Sequence, residues 1–443
     1  MHKGYLPYVD IWDRKPWGLF FLYYLIAFCS YTPLAYQLVA TLFVTATAWV
    51  IGRLATLGRA VPKAGLYCGI VYLLWLDRLQ GFGGQTPVFY NLFMATAALL
   101  VFRARTILRA GRAPWSVAAA MLLAGCAITI KTTAVFESLF LGITCAVWFM
   151  QAPVSRDRKG ATIAALALAG AAPSLAITAW YALHGYWQIY WQAMVLSNLA
   201  KPTNTDSSAI RAVIDFIIVA PILIVAALSL PDWKGPLFHF VRWWLLAAFI
   251  GLCSVPNFFM HYALPILVPL CVLPERLFER RIVGPVALAL LAAWSLQNTH
   301  AFDFERTQKT RQSLAALVRA IRTHDNGHGL FVVDSASQLY MLTDQPIPTP
   351  LIFPSHLGLA FEKDVSHLST MGEVRRVLRT SPGTVVIPHQ PIDGPPNMEV
   401  FRAVRRYVHT HCRRVASVRL YEIMNVIPTD VWAQCHPGKL HRE

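Results

Sequence analysis

Ten apolar stretches constrain this chain more than anything else in it: residues 34–52, 64–80, 87–102, 115–131, 133–150, 161–183, 209–230, 241–254, 260–273 and 282–297. Several match the ~20 apolar residues that span a bilayer. The stretches at 241–254 and 260–273 are short, and each also fits a broken or re-entrant segment packed inside a bundle. Residues 17–31, WGLFFLYYLIAFCSY, are short too, with Pro33 close behind, and read as an interfacial helix. Composition agrees. The chain is 56% hydrophobic and 14% charged, whereas soluble domains average about 45–50% and about 25%. A soluble protein of 443 residues would need polar surface that this sequence lacks. The expected fold is a polytopic α-helical membrane protein with about 10–11 membrane segments.

Lysine and arginine placement sets the expected orientation. Five alternate loops carry fifteen of them, opening with Arg53, Arg59 and Lys63 and continuing in clusters at 103–112, 156–159, 234–242 and 276–281. The intervening loops hold only Arg78, Lys131 and Lys201. The positive-inside rule puts the first set in the cytoplasm and accounts for most of the +16 net charge. These cations form no single stripe, so no nucleic-acid partner is expected.

With that parity the last apolar stretch exits outward, and residues 299–443 form a domain on the outer face. Helical patterns at 311–324, 371–380 and 401–410 alternate with apolar runs at 330–333, 384–388 and 415–423, which reads as a small α/β domain. The expected division is an outer loop with an interfacial helix over 1–33, a multi-span domain over 34–298, and the α/β domain. Six of eight cysteines lie in or beside apolar segments, where a thiol is a small hydrophobe. The other two, Cys412 and Cys435, sit in the outer domain, where an oxidising compartment permits a disulfide. A metal cluster with His409, His411 and His436 is the alternative, at a spacing that fits no zinc pattern.

The opening GYLPYVDIWDRKPWGLFFLY packs Asp10, Asp13, Arg14 and Lys15 against an apolar aromatic block. It resembles the first outer loop of bacterial GT-C glycosyltransferases, the polyprenyl-phosphate-sugar-dependent group that includes protein mannosyltransferases and lipid A aminoarabinose transferase. Their Y-x-D-x-x-x-K-P-P loop reads here as Tyr8, Asp10, Lys15 and Pro16, with Trp17 in place of the second proline. The resemblance continues in GGQTPVFYNLF (83–93), ITIKTTAVFESLF (128–140) and MHYALPILVPL (260–270), and fades in the outer domain. In that family a membrane helix and an acidic residue, the usual catalytic carboxylate, precede this loop. The expectation is therefore that Met1 is an internal methionine of a longer reading frame, or that the copy is truncated.

The resemblance implies transfer of a sugar from a polyprenyl-phosphate donor to a lipid, glycan or protein acceptor on the periplasmic face of a bacterial inner membrane. Such chemistry needs stabilisation of developing phosphate charge and a carboxylate to deprotonate or orient the acceptor hydroxyl. Lys15, with Arg14, would contact the phosphate; both also fit helix-anchoring cations that snorkel to the headgroups. Asp10 and Asp13 would serve as the catalytic carboxylates, holding an acceptor hydroxyl or a cation, or would simply pair with Arg14, Lys15 or the helix N-terminus.

Lys131 and Glu137 are ionisable groups at membrane depth, either part of the substrate site or an internal ion pair. His261 and Tyr262 would hydrogen-bond sugar hydroxyls or belong to the interfacial aromatic belt, and the belt reading is favoured for Tyr186, Trp187, Tyr190 and Trp191. Asp77 and Arg78 read as a local pair. No cofactor is expected; a divalent metal stays an unsupported alternative, because Gln85, Thr86 and Asn91 stand where members of that family often carry a second acid. The competing function is a decayed or carrier-type membrane protein that binds lipid phosphate without turnover. Against a carrier stands the absence of any internal repeat in the sequence.

Overall fold

The computed structural model describes residues 1–58, 61–200, 205–230, 234–255, 257–297, 299, 302–391, 394–421 and 426–435; Arg59, Lys201 and His436, named above, lie outside them. The described residues are 68% helical, with a small C-terminal sheet. Proline opens many of its helices. Pro33, Pro62, Pro87 and Pro236 sit at the first or second helical position, where the missing N–H would be unpaired in any case.

In chain order the first helices are α1 (Trp17–Ala27), α2 (Pro33–Ala55), α3 (Pro62–Arg78), α4 (Thr86–Arg103), α5 (Arg105–Arg109), α6 (Trp115–Ile130), α7 (Ala134–Met150) and α8 (Arg156–Leu183). Two short ones follow, α9 (Trp187–Trp191) and α10 (Ser197–Leu199). Next come α11 (Thr205–Leu228), α12 (Pro236–Cys253), α13 (Leu264–Val272), α14 (Glu275–Glu279) and α15 (Val283–Gln297). Five of the described helices, α2, α4, α8, α11 and α12, are long and apolar enough to cross a membrane. In the apolar part of α8 only 6% of the residues are buried within the protein. An apolar helix so uncovered fits contact with lipid rather than water.

Two compact units emerge. The first to describe comprises Lys15–Trp180 and Thr203–Ala301. Its helices meet through small residues, as lipid-embedded helices do when no solvent drives them together. Ala48 and Gly52 of α2 face Gly65 and Gly69 of α3. A Cβ on Gly65 would fall 2.6 Å from the Gly52 carbonyl oxygen, and one on Gly69 2.6 Å from that of Ala48. Both positions therefore exclude any side chain.

The second unit gathers Met1–Arg14, Tyr181–Pro202 and Phe302–Glu443. The opening loop to Arg14 and the 181–202 segment thus group with the C-terminal domain. The remaining elements are α16 (Phe304–Thr323), β1 (Leu330–Val332), α17 (Gln338–Leu342), α18 (Pro354–Gly358), α19 (Thr370–Arg379), β2 (Thr384–Pro388), α20 (Met398–His411), β3 (Arg413–Tyr421) and β4 (Val426–Ala433). The sheet order is β1-β2-β4-β3, with β1 and β2 parallel and the other pairings antiparallel. Leu317 and Ile321 of α16 pack on Val332, Val386, Leu420 and Val431. Phe331, Val385 and Ile387, of opposite parity, are equally buried, so both sheet faces are covered. A disulfide joins Cys412 to Cys435 and ties the end of β4 to the start of β3.

Candidate functional site

The membrane-type unit concentrates its polar chemistry at the turn between α6 and α7. Lys131 ends α6 in an extended conformation, φ −148° and ψ 121°. Only Thr132 and Thr133 separate it from α7, so Lys131 and Glu137, in the first turn of α7, come to one place. The N-terminus of α7 favours a negative charge there. Glu137 is 2% exposed and accepts a hydrogen bond of 2.7 Å from Trp244 Nε1 on α12. Its partner is this indole, not Lys131, so the internal ion pair weighed from the sequence is not formed. The Lys131 ammonium instead lies 4.5 Å from the centroid of the Tyr262 ring, a cation–π contact. Lys131, Glu137 and Tyr262 line one small cavity with Tyr90 and Thr133, of about 10 Å³, room for about one water molecule.

Tyr262 begins an aromatic row. His261 meets it edge-on at 4.7 Å, and Phe259 stacks on His261 at 5.9 Å with 18° between the planes. The Arg211 guanidinium caps the far end, 4.4 Å from the Phe259 centroid, and donates to the Asn257 carbonyl at 3.4 Å. A cation therefore stands at each end of the row. One turn along α11 from Arg211, Asp215 is 4% exposed and neither of its carboxylate oxygens has a hydrogen-bond partner. Arg211 and Asp215 escaped the sequence reading, although a carboxylate inside the apolar run 209–230 is itself a signal. Asn91 donates 3.2 Å hydrogen bonds to Tyr72 Oη and the Leu264 carbonyl. Arg78 lies over the Trp294 ring at 4.9 Å, while Asp77 accepts from Thr299, so each has a partner besides the other.

The other unit holds Asp10, Asp13 and Arg14, whereas Lys15 belongs with Lys131, His261 and Tyr262. Asp10 accepts from the Leu6 backbone N–H at 2.7 Å and closes its own loop. Arg14 forms an ion pair with Glu362, their side chains 11% and 7% exposed. Asp13 accepts from the Arg14 backbone N–H at 2.7 Å and lies 4.0 Å from His356 Nε2; Glu362 lies 3.7 Å from His356 Nδ1. Trp12 meets the His356 ring edge-on at 4.7 Å and donates its backbone N–H to the Pro350 carbonyl at 3.0 Å. This buried knot fastens the opening loop to α18 and the turn after it.

Tyr8, fully buried at φ +70°, packs edge-on against Tyr181 and Tyr190, which stack at 4.9 Å. Burial raises the Tyr8 pKa well above its ordinary value, with Tyr181, Tyr190 and Asp13 adding to the effect, so it stays neutral. Trp187 and Trp191 stack on each other and remain about two-fifths exposed. Tyr190 thus serves packing.

No protein-family model, curated protein or solved structure matches the chain. Among the described residues, no three His, Cys, Asp or Glu side chains are grouped to hold a metal ion.

Proposed function

We propose that this protein is a membrane glycosyltransferase that moves a sugar from a polyprenyl-phosphate donor to a lipid, glycan or protein acceptor on the periplasmic face of a bacterial inner membrane. The observation that carries the proposal is the aromatic row with a cation at each end and the buried carboxylate Glu137 beside it. In such a reaction the acceptor oxygen attacks the anomeric carbon, and the bond from that carbon to the phosphate oxygen breaks. The bonding pair leaves with the polyprenyl phosphate, and the acceptor proton passes to a carboxylate. Lys131 and Arg211 supply positive charge for the departing phosphate. Glu137, fixed by Trp244, takes or orients the acceptor proton. The aromatic faces of Tyr262 and His261 suit a sugar ring. Because the cavity holds about one water, substrate entry requires it to open.

The test uses purified protein in liposomes with undecaprenyl-phosphate-linked sugars and follows release of undecaprenyl phosphate per folded molecule. Lys131→Ala is expected to lower turnover about 10²–10³-fold, as loss of one donor to a developing anion does. Glu137→Gln, which keeps a hydrogen-bond acceptor for Trp244, is expected to lose turnover while retaining saturable donor binding. Wild-type protein that binds the donor but never releases the phosphate refutes transfer and leaves the non-catalytic lipid-phosphate binder.

A further inference from the structure

A second concave surface runs along the same helices toward their arginine-rich end. α7 and α12 border a groove of about 640 Å³, open on one side, with Leu139, Ile143, Trp243 and Leu246 among its lining residues and Arg105 and Arg109 beside it. Those four apolar side chains are 43–61% exposed. From Phe136 to Trp148 the groove follows thirteen residues of α7, about 18 Å by helical rise. That slightly exceeds the ~15 Å of one leaflet, half of a ~30 Å hydrocarbon core.

The charged end is unusual. Arg105 and Arg109 are one turn apart on α5, and like charges at that spacing repel. Among the described residues no carboxylate pairs with either, and Arg109 Nε is buried without a hydrogen-bond partner. Burial and then the Arg109 charge lower the Arg105 pKa from its ordinary value, yet a guanidinium stays charged at any physiological pH. Two cations left together beside a lipid-facing apolar groove call for an anion that brings its own hydrocarbon.

We propose that this groove binds an anionic phospholipid of the arginine-side leaflet, its phosphate on Arg105 and Arg109 and one acyl chain lying between α7 and α12. Basic pockets between membrane helices on the cytoplasmic side recognise such headgroups, and Arg meets phosphate oxygens with a two-pronged fork. A zwitterionic lipid offers the same chains without the net charge and gains little from the arginine pair. The site is separate from Lys131 and the aromatic row, so it is available whether or not the protein transfers sugar.

The experiment is native mass spectrometry of the full-length protein, delipidated in detergent and titrated with phosphatidylglycerol or phosphatidylcholine. Each arginine near a headgroup contributes about fivefold in affinity, so the pair predicts about a thirtyfold preference for phosphatidylglycerol. Arg105→Gln with Arg109→Gln is expected to abolish that preference, and Arg105→Lys with Arg109→Lys to keep part of it. Arg103→Gln with Arg112→Gln, at the same membrane face but outside the groove lining, is expected to leave it intact. Ile143→Trp, which fills the groove, is expected to weaken binding with both arginines present. Equal retention of the two lipids by wild type overturns the proposal, as does a preference that survives in the Arg105→Gln, Arg109→Gln protein. Undecaprenyl phosphate displacing phosphatidylglycerol in competition also overturns it, by making the groove a donor channel.

Discussion

Glu362→Leu tests whether the opening loop is held by a buried ion pair. Glu362 and Arg14 are 7% and 11% exposed, and deleting the carboxylate strands a guanidinium in a nearly dry site. Breaking such a pair by removing one partner costs about 3–5 kcal/mol. Residual exposure of Arg14 and the nearby Asp13 carboxylate argue for the lower end, about 3 kcal/mol. The loss falls on the loop, because the pair joins residue 14 to residue 362 within one unit. At about 1.4 kcal/mol per tenfold, loop opening becomes about a hundredfold more frequent or greater.

The amides that report this are known from the structure: Trp12 N–H bonds the Pro350 carbonyl at 3.0 Å, Tyr8 N–H bonds Ile11 at 2.7 Å, and Asp10 N–H bonds Leu6 at 2.9 Å. Hydrogen exchange of the residue 6–14 peptide in detergent should accelerate about a hundredfold in Glu362→Leu, while peptides of α3 hold their rate. Arg14→Met together with Glu362→Leu should recover most of the protection, since replacing both charges by apolar groups is close to neutral. Exchange within threefold of wild type in Glu362→Leu, or a double variant no better protected than the single one, would refute the argument.

Glu275 predicts a pH effect. Burial pushes its carboxyl up to about 8, against an opposing pull from Arg276, and its Oε2 has no hydrogen-bond partner. The folded state then binds a proton that the unfolded state releases at its ordinary value, so stability is greatest below about 4.5, falls as pH rises to about 8, and is level above. Glu275→Gln should therefore leave thermal inactivation little changed near pH 4.5 and raise its midpoint at pH 8.5; an equal midpoint at pH 8.5 would contradict the burial argument. For the topology, alkaline phosphatase fused after residue 435 should be active in a bacterial host, and an inactive fusion would reverse the orientation drawn from the loop cations.

Periodicity and hydropathy carried most of the fold. Each of the ten apolar stretches is helical, and β2 spans the same five residues, 384–388, as its apolar run. β4 was missed because Pro428 and Asp430 interrupt its pattern; its burial depends on β2 and β3 on either side, which no local window contains. α12 starts at Pro236 rather than 241 because Pro–Leu–Phe–His precedes the uniformly apolar part and still fits a helical first turn. The candidate site was legible where residues are neighbours in sequence, as Lys131 and Glu137 are. Trp244 as the partner of Glu137 was not legible, being 107 residues away and indistinguishable in composition from a lipid-facing indole.

The same limit governed the stretch Asp13-Arg14-Lys15. Sequence proximity suggested one electrostatic device, with Arg14 and Lys15 sharing a phosphate. In the structure the boundary between the two compact units falls between them. Arg14 is neutralised by Glu362 across 348 residues of chain, which removes it as a free cation for a lipid phosphate. Asp10 and Asp13 are likewise engaged with the backbone N–H groups of Leu6 and Arg14. Lys15 remains exposed at the start of the helical unit, immediately before the proline that caps α1. Dense charge next to dense hydrophobicity thus has two separate settings: a buried pair that needs its partner from the C-terminal domain, and an exposed cation just ahead of an apolar helix.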